Sequence, residues 1–295
     1  MAVSGSKDFE PNVADYIEEA FERCGFELRT GYQAKTARRS LNFLLADWAN
    51  RGLNQWTIKQ VTQNLIIGIT EYPVGTITLS VGASGSFTIG ETITGGTSAA
   101  TASIISAPTA TSMTITVPSG TFSASETITG GTSSATTTVS SVVSFEDVQA
   151  TVDVLTAVVR RSSQDLSTSA IDRAAYLDIP NKTSTGRVTQ YFVDRQITPV
   201  IKVWPSPENS TDQLIYDRIV RIDDADASVD TVEMPFRFYP CLAAGLAYYL
   251  AMKIAPDRIP VLKGLYEEEF ERAALQDSST TSVNLVPTYT FLSAV

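Results

Sequence analysis

Histidine is absent from the 295 residues. That removes imidazole general bases, Ser-His-Asp triads and the commonest metal ligand together. Cysteine is nearly absent. Cys24 and Cys241 stand far apart with no CxxC, so the usual zinc and thioredoxin-like patterns are missing. Each falls at an apolar position of a helical pattern, where a buried free thiol is expected, and such scarcity fits maturation in a reducing cytosol. No apolar run approaches the ~20 residues of a membrane span; the longest is Tyr239 to Met252. Met1 to Asp8 has no apolar h-region, so no signal peptide is expected. Charge is sparse, at 18%, and the balance of 22 basic against 32 acidic residues gives −10. An acidic balance argues against sequence-specific DNA binding through an exposed basic face. With 43% hydrophobic residues the chain has enough apolar surface to avoid wholesale disorder. Its length suits one or two domains of ~100–200 residues.

Both ends of the chain carry helical patterns. Asn12 can cap a helix with Val13, Ile17, Ala20, Phe21 and Cys24 on one face, and Gly25 supplies a stop. A second helix is expected from Tyr32 to Asn50, with Ala37, Leu41, Leu44, Leu45 and Trp48 on one face and Lys35, Arg38 and Arg39 on another; Gly52 closes it. Met234–Ile254 is apolar nearly all round, as a central helix would be, with Pro240 tolerated in its first turn and Pro256 ending it. Asp257 can cap a fourth helix whose stripe is Leu262, Leu265, Phe270 and Ala273 and whose other face carries Glu267, Glu268, Glu269 and Glu271.

The middle has a different composition. From Ile77 to Val142 the charges are Glu91 and Glu126 alone, in a segment dominated by Ser, Thr, Ala and Gly. It is an internal repeat: Glu91 to Ser98, ETITGGTS, recurs unchanged as Glu126 to Ser133, and 13 of 23 positions agree between 85–107 and 120–142. Alternating β-branched residues with Gly-Gly turns predict short antiparallel strands. One such unit of ~30 residues cannot bury a core alone, so each copy is expected to pack on the other, as a β domain inserted at a loop of another fold. Downstream, Val152–Val159 and Val200–Trp204 read as strands, the second ended by Pro205 and Pro207, and Gln213–Tyr216 suggests a partner strand. The expected class is therefore α+β. The expected core comprises 1–76 and 143–277, a helical bundle from both chain ends plus a β-layer, and the repeat domain of 77–142 is inserted in it.

No catalytic constellation emerges. Thr-Gly-Gly-Thr-Ser lacks the lysine of a phosphate loop and reads as a strand connection. The run Glu267–Glu269 does not supply the converging carboxylates of a glycosidase, because consecutive helical residues point ~100° apart; a solvated face fits better, and it can also line a channel that repels phosphates. Arg160-Arg161 and Arg38-Arg39 lack flanking basic residues and stacking aromatics, so solvation or ion pairing is expected. Tyr191, Phe192 and Trp204 read as core of a sheet. Asp223, Asp224 and Asp226 do not follow calcium-loop spacing. No metal or cofactor is implied. The segment after Asp277 is unusual: 278–295 has no charge yet carries Val283, Leu285, Pro287, Tyr289 and Phe291. So apolar a terminus suits extended docking on another subunit; packing back on its own core is the other reading.

Several segments together resemble the head-to-tail adaptor (connector) proteins of tailed bacteriophages. They are Ser40–Gly52 with Trp56, Tyr176–Lys182, Gly186–Tyr191, Asp194-Arg195, Val203–Pro205, Leu242–Ala247 and Leu262–Ala274. The resemblance runs over 10–76 and 147–277 and leaves out the repeat, which resembles β modules on phage virion proteins. It implies a non-enzymatic virion protein at the head-tail junction, assembled in the host cytoplasm. The expected homo-oligomer is a ring, usually dodecameric, between the portal protein and the tail or nozzle protein. Double-stranded DNA would pass through its lumen without sequence-specific binding, and no membrane is involved. Val283, Leu285, Pro287, Tyr289 and Phe291 would contact portal or a neighbouring subunit. Glu267, Glu268 and Glu271 would face the channel, unless the Arg38-Arg39 helix lines it. Two other classes compete: a virion-associated cell-wall hydrolase using carboxylates such as Glu18 or Glu268, and a glycan-binding adhesion protein acting through the β insert.

Overall fold

The computed structural model describes residues 9–51, 55–82, 85–141 and 143–277. The chain is mixed α and β. Among the described residues the helices are α1 (Val13–Cys24), α2 (Gly31–Asn50), α3 (Glu146–Gln149), α4 (Arg173–Asp178), α5 (Tyr239–Ile254) and α6 (Ile259–Asp277). Contacts divide the described residues into two units, one within Met1–Trp56 and Asp223–Val295, the other Thr57–Ile222.

In the first unit the helix ends follow local chemistry. Asn12 Oδ1 accepts the Asp15 N–H at 3.0 Å while the Asp15 carboxylate accepts the Asn12 N–H at 2.9 Å, a reciprocal capping box. Gly25 closes α1 in the left-handed region at φ 79°. Thr30 and Gln33 form a second capping box, which starts α2 at Gly31, one residue before the expected Tyr32. α5 starts at Tyr239 rather than Met234. Phe236–Phe238 make a 3-10 turn, and Pro240, lacking an N–H, fits only the first turn. Asp257 does not cap α6; it lies inside the 3-10 turn Pro256–Arg258, and α6 follows at Ile259.

The apolar all-round α5 packs against α1, α2 and α6. Trp48 of α2 is buried against Phe238 and Phe270, with ring centroids 5.7 and 5.9 Å away, and its Nε1–H donates to Tyr266 Oη at 2.9 Å. On α6 the buried face is Leu262, Tyr266 and Ala273. The expected stripe residue Leu265 is exposed instead, because it stands ~100° round the helix from Tyr266.

The second unit holds the strands. β1 (Ile58–Asn64), β2 (Glu71–Pro73), β3 (Thr78–Ser80), β4 (Thr92–Gly95), β5 (Thr101–Ser103), β6 (Ser112–Thr114), β7 (Thr127–Gly130) and β8 (Thr136–Thr138) precede α3. After it come β9 (Thr151–Arg161), β10 (Gln164–Ser167), β11 (Ser169–Ala170), β12 (Thr185–Gly186), β13 (Gln190–Asp194), β14 (Val200–Trp204), β15 (Ser206–Pro207) and β16 (Gln213–Val220). One antiparallel sheet runs β1-β16-β9-β10; a mixed sheet runs β11-β13-β14-β2, with β11 parallel to β13 and the other pairs antiparallel. The expected partner strand at Gln213–Tyr216 is present within β16, which pairs with β1 and β9, while β14 pairs with β13 and β2. Strand identity was readable from alternation, whereas partner choice is set by the long β9, which matches β16 along its length. Within the repeat, β5-β4-β7-β8 form one sheet and β3 pairs with β6.

A buried arginine ties the root of the repeat segment. The Arg218 guanidinium pairs with Asp147 and donates to the Asp147 carbonyl at 2.7 Å and to Thr151 Oγ1 at 2.8 Å. Asp147 accepts the Thr76 N–H at 2.7 Å, and Tyr216 Oη accepts the Gly75 N–H at 2.8 Å. Gly75 has φ +110°, and a Cβ there would come within 2.3 Å of Arg218 Nη1.

Gly245 in α5 lets two neighbouring helices approach closely: a Cβ would lie 2.8 Å from Leu44 Cδ2 and 2.9 Å from the Tyr266 ring. Gly245→Val is therefore expected to lower stability by about 1–3 kcal/mol through overpacking, read as a fall in the denaturant midpoint. An unchanged midpoint contradicts this packing.

Candidate functional site

The most constrained polar site lies in the repeat. The β4–β7 register pairs Ile93 with Gly130, Thr94 with Thr129 and Gly95 with Ile128. Thr94 and Thr129 are the same position of the two copies, so a local two-fold passes through that pair. The same symmetry crosses the carboxylates. Glu91 Oε2 accepts N–H groups of Thr132 at 3.1 Å and Ser133 at 2.9 Å, and the Ser133 hydroxyl donates to Glu91 at 2.9 Å. Reciprocally, Glu126 accepts from the N–H groups of Thr97 and Ser98 at 3.2 and 2.9 Å and from the Ser98 hydroxyl at 2.8 Å. Each copy's acid thus closes the other copy's Gly-Gly-Thr-Ser loop. Gly95 and Gly130 permit the approach, since a Cβ on either would fall 2.8 or 2.6 Å from the opposing carboxylate. Burial acts to raise both carboxyl pKa values, but the donated hydrogen bonds outweigh it and hold both below the usual carboxylate range. The sequence signal was present, two lone charges in an uncharged repeat, but spacing alone does not say that the contacts are exchanged between copies.

The other candidate surfaces are helix faces of the first unit. On α2, Tyr32, Lys35, Arg39 and Phe43 form an exposed stripe, with Tyr32 78% and Phe43 62% exposed. Arg38 turns aside and donates to the Asp226 carbonyl. On α6, Glu267 is drawn toward the end of α2 by Arg51, whose Nη1 donates at 3.1 Å. Glu268 pairs with Arg272 at 3.0 Å, while Glu271 is exposed and makes no ion pair among the described residues. The tail residues Val283, Leu285, Pro287, Tyr289 and Phe291 lie outside the described residues.

Elsewhere the candidate residues are satisfied locally. Arg160 pairs with Asp165 at 2.6 Å, and Arg161 with Asp212 and Glu208 at 2.6 and 2.7 Å. Tyr191 and Phe192 are buried, and Trp204 Nε1 donates to the Asn181 carbonyl at 2.9 Å. Tyr176 stacks on Phe192 with centroids 5.5 Å apart, and Lys182 stands over Tyr176. Residues from Tyr176–Lys182, Gly186–Tyr191 and Val203–Pro205 therefore serve one packed corner of the second unit. A cleft of about 530 Å³ beside it is lined by Asp153, Arg173 and Arg195, of which Arg195 pairs with Asp153 at 2.7 Å. Cys24 and Cys241 are free and buried, and burial pushes the Cys241 thiol up to about 12. Glu18 is exposed on α1. Among the described residues no group of His, Cys, Asp or Glu is placed to hold a metal ion. No helix among them is long and apolar enough to cross a membrane. Compared with known proteins, the chain matches no protein-family model and no curated sequence.

The paired carboxylates give a pH prediction. A folded-state pKa below the unfolded value of about 4.3 contributes stability that is present above that pH and lost as pH falls through the folded value. Glu91→Gln with Glu126→Gln is expected to cost about 1–3 kcal/mol per site at neutral pH and to flatten the acid-side loss in thermal scans. Parallel acid loss in variant and parent contradicts the exchange of contacts.

Proposed function

We propose that the chain is a structural head-to-tail adaptor of a tailed bacteriophage, a ring-forming subunit seated between portal and tail. In this reading α1, α2, α5 and α6 are the adaptor's helical bundle, the sheets outside the repeat its β-layer, and 77–142 an inserted β module. The observation that carries it is the closure of the chain ends. Helices from the first fifty residues and from the last described fifty share one core around Trp48 and Tyr266, and the whole β portion leaves and returns between Trp56 and Asp223. This closure supports a helical bundle with a β-layer, as the resemblance implies, and residues carrying the resemblance serve this core and the packed corner around Tyr176 and Trp204. The proposed partners are the portal ring, the tail or nozzle protein, further copies of the chain, and double-stranded DNA passing without sequence readout. The proposed location is the head-tail junction of the virion. The insert is read as decoration or as a contact with neighbouring virion proteins.

Sedimentation with the portal ring of the same virus tests this, using the full chain and a 1–277 version. The full chain is expected to join the portal as a ring, and 1–277 to join poorly if Val283 to Phe291 make the contact. Joining by both versions keeps the adaptor role and removes the tail from it. Binding by neither contradicts the role, and murein lysis or glycan binding by the chain then becomes the account to test.

A further inference from the structure

The two exposed helix faces of the first unit have matching patterns of opposite sign. α2 contains three basic residues and one acidic, 3 − 1 = +2; α6 contains two basic and five acidic, 2 − 5 = −3. Along α2 the exposed stripe reads Tyr32, Lys35, Arg39, Phe43, spaced by three, four and four residues, as one helix face requires. Along α6 the exposed stripe reads Leu265, Glu268, Glu271, Leu275, spaced by three, three and four, with Val261 one turn earlier. Apolar ends bracket two charges in both. The apolar ends are separated by eleven residues on α2 and ten on α6, about 16 and 15 Å at 1.5 Å per residue.

Three of the four charges at the centres of these stripes make no ion pair among the described residues; the fourth, Glu268, pairs with Arg272. Lys35 and Arg39 make no ion pair among the described residues, and Arg39 adds repulsion to Lys253, whose ammonium pKa burial and Arg39 together push below its ordinary value. On α6 Arg272 is held by Glu268 and Glu269, which leaves Glu271 without a cation. Large exposed apolar side chains flank each pair of charges, with Val261 74% and Tyr32 78% exposed. Opposite charges flanked by exposed apolar side chains on two faces of one chain are complementary, as a contact between copies requires.

We propose that the Tyr32–Phe43 face of α2 docks on the Leu265–Leu275 face of α6 in a second copy of this chain. The two faces differ, so the contact is heterologous: each copy uses α2 on one neighbour and α6 on the other, which generates a ring when the rotation closes. Charge complementarity selects a second copy over an unrelated partner, because both halves of the interface are present on one chain. The proposal rests on the ring reading above and assigns its subunit junction. It also takes the α6 face out of the channel, against the expectation that Glu267, Glu268 and Glu271 line the lumen.

Arg39→Glu and Glu271→Arg, each in the full chain and checked for native circular dichroism, test this by sedimentation velocity, alone and with the portal ring. Each variant is expected to weaken self-association about tenfold or more, since like charges then meet. An equimolar mixture of the two is expected to assemble again, as is the chain carrying both changes, because every junction then joins opposite charges. Recovery in the mixture excludes misfolding as the cause of the single-variant defects. Single variants that assemble like the parent overturn the docking while leaving portal binding intact. A two-fold dimer that grows no further, or a chain that stays monomeric both free and on the portal, also overturns it. So does Glu271→Arg that assembles normally and changes only DNA retention, which returns the face to the channel. Failure of the parent to bind portal at all counts against the adaptor reading itself, separately from the charge series.

Discussion

The hydrogen bond from Trp48 to Tyr266, set among Phe238 and Phe270, is the contact on which the helical unit depends. It joins residues 218 positions apart. Closing so long a loop is costly in chain entropy, though the cost grows only slowly with length. What offsets it is a largely apolar α5 packed against α1, α2 and α6, with Gly245 allowing Leu44 and Tyr266 to close on it. The closure also brings a basic face and an acidic face onto one unit, a juxtaposition that neither chain end carries alone.

The repeat solves a related problem by symmetry. A short Thr-rich sheet of small side chains has little apolar surface to bury, and its two copies compensate by exchanging charged acceptors across a local two-fold. Four donors that would otherwise be lost in the Gly-Gly loops find carboxylates from the opposite copy. Truncating the segment to one copy would remove both the strand partner and the acid that closes the loop. At its root, Arg218, Asp147 and Tyr216 hold the two crossing strands of chain together.

Much of this was legible in the sequence. α1 could be bounded at both ends because Asn12 and Gly25 act through their own backbone neighbours, and Val200–Trp204 was read correctly from alternation ended by Pro205. Local signals failed where two compete. Pro256 reads as the end of one helix and Asp257 as the cap of the next, and the chain uses both in a 3-10 turn before α6. Partner choice among strands was not legible, since β16 offers the same alternation to any neighbour. At the candidate sites, the lone charges of the repeat stood out by composition, but their reciprocal use is a tertiary fact. The basic face of α2 and the acidic face of α6 were visible as periodicity, but their apolar ends were not; Leu265 was placed on the buried stripe, whereas Tyr266, ~100° round the helix, is the buried residue.

Electron cryo-microscopy of the full chain bound to its portal ring tests the central claim most directly. The account predicts a closed ring on the portal in which α2 of every copy faces α6 of the next, with the channel lined by other elements. Copies bound singly without touching, or a ring joined through other surfaces with α6 turned to the lumen, would contradict the proposed junction. An empty portal would contradict the connector role.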